Sequence, residues 1–324
     1  MIKGYSLQDL TVNLFLTSFC NLDCKWCIAR DYMSECRKPM FIQEDMILEL
    51  EKRIRKEPPK QINLLGGEPT LHPHALEIGR RFYNCGTSIG LSTNGLWNRK
   101  FRKEFERIEY PIETEITFLG WHHYSSNQKK ELIETFEQLR QKGGVVSIGA
   151  IIDSDNFSGI EHLDIAEKYH FELRWSFSEP IVSSGNLFGY KSQNTLRKYG
   201  KRIYEIVQEA NKRGIETWGD ICVPHCAFSE SQLEIFAKQE NDVSFICPPF
   251  FDISPDLTIW RCLPLRIYKI DDLKKYGTFL EAYNALKNYE CRNNSGVFGE
   301  CKSCCYLNSV CSGGPRIVKD FKKS

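Results

Sequence analysis

Three cysteines, Cys20, Cys24 and Cys27, stand in a C-x3-C-x2-C spacing within the run F-C-N-L-D-C-K-W-C, Phe19 to Cys27. Three thiolates on one short loop can hold three irons of a cubane, whereas a [4Fe–4S] cluster normally takes four cysteines. Such a loop leaves one iron open to a ligand from outside the protein. Open and closed zinc sites differ in the same way, the open ones being catalytic. A zinc knuckle completed by Cys36 or a histidine is the other chemistry these thiols allow.

The chain has 14 cysteines, and nine of them lie from residue 222 onwards. In a reducing compartment that number points to metal rather than to disulfides. The spacings are Cys222-x3-Cys226, Cys247-x14-Cys262 and Cys301-x2-Cys304-x6-Cys311, with Cys291 and Cys305 besides. The stretch from Cys247 to Cys262 reads as a β-hairpin with a thiol at each end. Zinc ribbons have C-x2-C spacings similar to these, so zinc and iron–sulfur readings both stand for this half.

The elements that must position these residues alternate. Strand-like runs at 12–16, 61–65, 87–91, 114–119, 145–151 and 171–177 are rich in Ile, Leu, Val, Thr and Phe. Between them, 43–56, 73–85, 98–108, 127–142 and 159–169 carry apolar residues at helical spacing, such as Leu132, Ile133, Phe136 and Leu139. A parallel sheet with right-handed crossovers follows. Closed or half-closed, it is a barrel-like (β/α)6 unit; an open doubly wound sheet has the same pattern. A long helix at 195–213 ends at Gly214. Beyond it the chain turns rich in cysteine, proline and aromatics, with one helical run at 278–289. Such a segment has little core of its own and needs metal staples. Two domains are expected, 1–214 and 215–324.

With 43 basic and 42 acidic residues the net charge is +1, which gives no global pull on nucleic acid or acidic lipid. No apolar run approaches the ~18–20 residues of a membrane span, and the first ten residues lack a signal peptide's apolar core. The expected location is the cytoplasm.

In parallel α/β folds chemistry gathers where strands end. The second strand ends in Gly66-Gly67-Glu68-Pro69: two glycines allow close backbone approach, and a carboxylate can accept from an ammonium. The third ends in Ser92-Thr93-Asn94-Gly95, either a turn or a set of small polar ligand contacts. The fourth ends in Gly120-Trp121-His122-His123-Tyr124, read as a substrate-facing loop because adjacent histidines rarely chelate one ion together. Asp153, Glu179 and one of Arg174 or Trp175 are weaker candidates.

The cysteine loop resembles the signature of the radical S-adenosylmethionine (SAM) superfamily, with Trp26 as the aromatic before the third cysteine. The resemblance implies a partial (β/α)6 TIM-like barrel followed by a small cysteine-rich metal-cluster domain. It implies that Cys20, Cys24 and Cys27 hold the SAM-binding [4Fe–4S] cluster. SAM is then contacted by Trp26, Gly66, Gly67, Glu68, Ser92 and Asn94. The closing run C-K-S-C-C-Y-L-N-S-V-C-S-G-G-P is similar to SPASM and twitch extensions, which carry two and one auxiliary [4Fe–4S] clusters. Cys222, Cys226, Cys247 and Cys262 are expected to hold one, and Cys301, Cys304 and Cys311, with Cys305 or Cys291, a second. The pattern departs at Leu257, where the hairpin usually has glycine, in the longer gap from Cys304 to Cys311, at Pro315 in place of the final cysteine, and in the added pair Cys222 and Cys226.

The implied reaction is reductive cleavage of SAM to a 5′-deoxyadenosyl radical that abstracts hydrogen from a substrate carbon, the expected substrate being a ribosomally made peptide or protein. A dehydrogenase or epimerase of a small molecule is the alternative, with Cys36 as a spare hydrogen donor. A zinc module binding RNA or protein is the alternative of another class. Expected partners are the peptide or small molecule, a flavodoxin or ferredoxin as electron donor, and a separate peptide-recognition protein.

Overall fold

The computed structural model describes residues 9–24, 26–36, 40–178, 180–183, 186–189, 191–220, 223–239, 243, 245–246, 249–266, 268–290 and 296–314. In chain order the elements are β1 (Thr11–Thr17), α1 (Arg30–Glu35), α2 (Glu44–Lys56), β2 (Gln61–Gly66), α3 (Ala75–Tyr83), β3 (Ser88–Thr93), α4 (Arg99–Arg107), β4 (Glu113–Thr117), α5 (Ser126–Lys142), β5 (Val146–Ile152) and α6 (Ile160–Tyr169). They continue with β6 (Glu172–Phe177), β7 (Ile181–Ser183), β8 (Asn186–Phe188), α7 (Gln193–Lys212), β9 (Thr217–Gly219), α8 (Glu230–Lys238), β10 (Phe250–Ile253), β11 (Ile259–Trp260), β12 (Lys269–Ile270) and α9 (Phe279–Glu290). The strand–helix alternation from β1 to β6 is the one the (β/α)6 reading requires.

The chain forms two compact units. The first comprises Met1–Glu115, Gln141–Gly144 and Pro248–Asn293; the second comprises Ile116–Arg140, Val145–Cys247 and Asn294–Ser324. The segment 215–324, expected as one domain, contributes to both.

In the first unit β10, β1, β2 and β3 run parallel, and β11 and β12 continue antiparallel beyond β10. The pleat of T-V-N-L-F-L-T sorts β1 by face. Val12, Leu14 and Leu16 are buried, as are Ile62 and Leu64 on β2 and Ile89 and Leu91 on β3. On its other face Asn13 stands level with Asn63 and Asp252. In the second unit β5, β6 and β9 are parallel. The β5 sequence V-S-I-G-A-I-I is buried almost throughout, as expected for a strand covered on both faces.

The sequence reading missed two helices, α1 and α8. A capping box starts α8: Ser229 accepts from the Gln232 N–H, and Gln232 returns the bond to the Ser229 N–H. The signal S-x-x-Q was present in the sequence. The expected hairpin is present, with Asp252 opposite Trp260 and Ile253 opposite Ile259.

Its turn explains one departure from the resembled pattern. Leu257, standing where glycine is usual, has φ +65°. That left-handed conformation costs an ordinary residue about 1–2 kcal/mol. The Leu257 side chain is fully buried, which offsets this by about 1.5–3 kcal/mol. Leu257→Ala removes the burial and keeps the strain, so it should cost about 2–4 kcal/mol. Leu257→Gly should be no less stable than Leu257→Ala despite its missing carbon, an order that urea unfolding of the two variants would check.

Candidate metal centre and cofactor site

The cysteine loop leaves β1 at Thr17 and is locked at once to the end of β2. Gly67 donates its N–H to the Thr17 carbonyl at 2.8 Å, and Glu68 donates its own to the Phe19 carbonyl at 2.7 Å. The two glycines make this contact possible. A Cβ on Gly66, whose φ is +148°, would lie 2.4 Å from the Thr17 oxygen, and one on Gly67 would lie 2.2 Å from the Phe19 oxygen. The close approach read from G-G is thus made first by the cysteine loop's own backbone.

Glu68 is fully buried at this junction. Its carboxylate accepts from the Thr70 N–H and hydroxyl at 3.2 and 2.6 Å, from the Thr93 hydroxyl at 2.6 Å and from the Asn94 N–H at 2.8 Å. Burial pushes its carboxyl up, and these donors pull it back down. Thr93 in turn accepts from the Gly95 N–H and the Trp97 indole, both at 3.1 Å. The end of β2 is therefore pinned to the end of β3. Asn94 carries the chain of bonds back to the cysteines, its amide donating to Asn21 Oδ1 at 2.7 Å and lying 3.9 Å from Cys20 Sγ. Ser92 donates to Glu115 at 2.9 Å.

The three thiols are partly buried and within electrostatic reach of one another. Burial pushes Cys24 up to about 12, with the Cys27 and Cys20 thiols adding to it. Cys20 is raised by burial, which the Leu22 N–H opposes at 3.4 Å from Sγ. Cys27 is raised by burial and lowered by N–H groups of Ala29 and Arg30 and by the Arg30 charge. The Cys27 N–H donates to the Cys24 carbonyl at 3.1 Å, closing the C-x2-C turn. Arg30 donates to the same carbonyl at 2.7 Å and pairs with Asp23 at 2.9 Å. Beneath the loop, Cys27 packs on an apolar cluster of Phe15, Ala29, Tyr32, Trp260 and Leu263. Phe15, Tyr32 and Trp260 meet edge to face with centroids 5.3–5.9 Å apart. Three half-buried thiols ionising together repel one another, so the set fits a cationic iron cluster that draws off their protons.

Residues 14–164 match the model of the Radical SAM superfamily. The chain contains a radical SAM domain. Members of this superfamily are enzymes that use a [4Fe–4S] cluster and SAM. The chain is 28% identical over 97 residues to a GTP 3′,8-cyclase of Haemophilus influenzae, which is 29% of each chain. It spans 29% to 33% of the length of the curated H. influenzae enzymes it matches. Two solved structures are similar over 95% of the chain. SuiB of Streptococcus suis bound to S-adenosylmethionine aligns at TM-score 0.65 and 15% identity, over 73% of its own length. The enzyme anSMEcpe with bound AdoMet aligns at 0.67 and 16%, over 89% of its length. At these identities the likeness is one of fold, that of a radical SAM partial TIM barrel.

Within the first unit, then, Cys20, Cys24, Cys27, Gly66, Gly67, Glu68 and Asn94 come together. Trp26 lies in the same loop, half-buried, and Ser92 lies on the same sheet. Cys262 follows Trp260 by two residues. Cys36 packs at the edge of the apolar cluster under Cys27. Cys226, Cys301, Cys304, Cys305 and Cys311 belong to the second unit. Cys222, Cys247, Cys291 and Glu179 lie outside the described residues. In the second unit, His122 and His123 have ring centroids 4.0 Å apart, and Asp153 accepts the Tyr199 hydroxyl through its carbonyl at 2.6 Å. Arg174 pairs with Asp220, and Trp175 is buried beside Gly219. Among the described residues no three His, Cys, Asp or Glu side chains converge on a point that one ion could occupy.

The sequence reading missed Thr70, Asn21 and Arg30, which fix the loop, and the bond from Thr93 to Glu68. It also missed the row Asn63–Asn13–Asp252, joined by bonds of 3.1 and 2.8 Å. Burial pushes Asp252 up to about 7, opposed by the Asn13 amide, the Leu263 N–H and the Arg261 charge. Asn13 was legible as the polar residue in an alternating strand; its partners were not.

Two outcomes follow. Gly67→Ala places a methyl against the Phe19 carbonyl, so it should cost about 1–3 kcal/mol and reduce iron loading, read by thermal melting and iron assay. The thiols are raised, so the apo site holds its protons at neutral pH and loading must expel them. Iron uptake at fixed iron and sulfide should therefore rise as the pH is raised from neutrality towards the thiol range.

Proposed function

We propose that this chain is a radical SAM enzyme that modifies a peptide or protein. Its Cys20, Cys24 and Cys27 hold the [4Fe–4S] cluster, while Trp26, Gly66, Gly67, Glu68, Ser92 and Asn94 line the SAM site. When bound, cluster and SAM supply one electron and the 5′-deoxyadenosyl radical that takes hydrogen from a substrate carbon. The observation that carries this reading is the trio of thiols on one loop whose backbone is bonded directly to Gly67 and Glu68.

The chain's own residues act on that centre in three ways. The Leu22 N–H and the Asn94 amide at Cys20 and the Arg30 charge near Cys24 and Cys27 favour thiolate over thiol. Glu68 holds the two strand ends in register beneath the cofactor. The aromatic cluster under Cys27 keeps water from that side.

The peptide reading is supported by fold neighbours. SuiB has been solved bound to the precursor peptide SuiA, and anSMEcpe with a Cp18Cys peptide. A small-molecule substrate is the second reading, favoured by the sequence likeness to GTP 3′,8-cyclase. In this proposal the C-terminal cysteines form a SPASM- or twitch-like auxiliary region with one or two further clusters. The enzyme works in the cytoplasm with a flavodoxin or ferredoxin as donor, and a separate protein presents the peptide. No described helix is long and apolar enough to cross a membrane.

Anaerobically reconstituted protein should release 5′-deoxyadenosine from SAM under dithionite. Cys24→Ala should abolish that release and lower iron by about four per chain. Tightly bound zinc with no cleavage, or cleavage that survives in Cys24→Ala, would overturn the proposal. A mass change in a short peptide encoded beside this gene would decide for the peptide substrate.

A further inference from the structure

Cys301, Cys304 and Cys311 supply three thiols, and Pro315 stands where the resembled pattern has its last cysteine. The second unit brings another thiol towards Cys311 from far along the chain. The turn at His225–Ala227 precedes α8. His225 donates its backbone N–H to Cys311 Sγ at 3.4 Å, and Gly313 donates to the same sulfur at 3.2 Å. The His225 ring stacks on Tyr306 with centroids 4.0 Å apart, which holds the turn against the cysteine run. Cys226, the next residue, has the Cys311 and Cys301 thiols within electrostatic reach.

Both sides of this arrangement are packed tightly. A Cβ on Gly200 of α7 would lie 2.0 Å from the Ala227 carbonyl oxygen, so the helix fixes the turn from behind. A Cβ on Gly296 would lie 2.1 Å from Cys301 Sγ, so only glycine leaves that sulfur where it is. Cys304 closes its turn by donating to the Cys301 carbonyl at 3.2 Å. That bond repeats the one from Cys27 to Cys24, and backbone N–H groups aimed at sulfur occur at Cys311 as they do at Cys20. Two regions of the chain thus present thiols by the same local device.

We propose that Cys226, Cys301, Cys304 and Cys311 are the four ligands of an auxiliary [4Fe–4S] cluster, with Cys226 supplying the fourth thiolate. Four protein thiolates leave no iron open, so this cluster has no position for substrate. The assignment rests on the radical SAM reading of the chain and adds the ligand set to it.

The test uses the full chain with Cys20, Cys24 and Cys27 all changed to alanine, so that only auxiliary iron remains after anaerobic reconstitution. Adding Cys226→Ser should lower iron by about four per chain and remove one paramagnetic signal of the dithionite-reduced protein. Gly296→Ala, which leaves the other thiols intact but displaces Cys301, should do the same. Cys305→Ser should change neither readout. Iron unchanged in both Cys226→Ser and Gly296→Ala, equal loss in Cys305→Ser, or zinc in place of iron would overturn the assignment. Release of 5′-deoxyadenosine by the unmodified chain is read alongside. Its absence counts against the radical SAM reading, whereas unchanged iron in Cys226→Ser counts against this ligand set alone.

Discussion

One buried carboxylate organises the candidate site. Glu68 accepts four hydrogen bonds at the junction of β2 and β3. Leaving such donors unpaired in a dry interior costs about 1–3 kcal/mol each. The carboxylate therefore fixes where the two strand ends sit. From there the constraint spreads to the cysteines by backbone bonds at Gly67 and Glu68 and by the Asn94 amide. In the cysteine loop Phe19 is exposed, so the loop's position is set by these bonds to the sheet and by the apolar cluster under Cys27.

The thiols pose the opposite electrostatic problem. Each is raised by burial and, if ionised, is repelled by its neighbours. Sulfur-directed N–H groups and Arg30 relieve part of that repulsion, and a cationic cluster held there would relieve the rest. The C-x2-C turn with its closing N–H···O bond recurs in the second unit at Cys301 and Cys304.

Much of this was legible in the chain. Strand-like composition in runs such as 12–16 and helical spacing in Leu132–Leu139 made the α/β alternation legible, because buried strands and one-sided helices each leave their mark in local sequence. The cysteine loop, the G-G-E-P run and the S-T-N-G run were legible because each is contiguous. The two short helices were less so. The helix α8 is announced mainly by its cap, and α1 spans six residues with only Tyr32 buried.

By itself the sequence determined the strand–helix order, the three-thiol loop and the glycines that must sit beside a crowding neighbour, since these depend on local spacing and on backbone conformation. The tertiary structure alone decided what those glycines crowd against, that Glu68 bonds across two strand ends, and that Asn13 meets Asn63 and Asp252. It also decided that Leu257 could replace a turn glycine, because only packing reveals the burial that offsets its left-handed strain. The approach of Cys226 to Cys301 and Cys311 belongs to the same class. Contacts between residues distant in sequence are set by how sheets and turns close on one another, and no spacing along the chain encodes that distance.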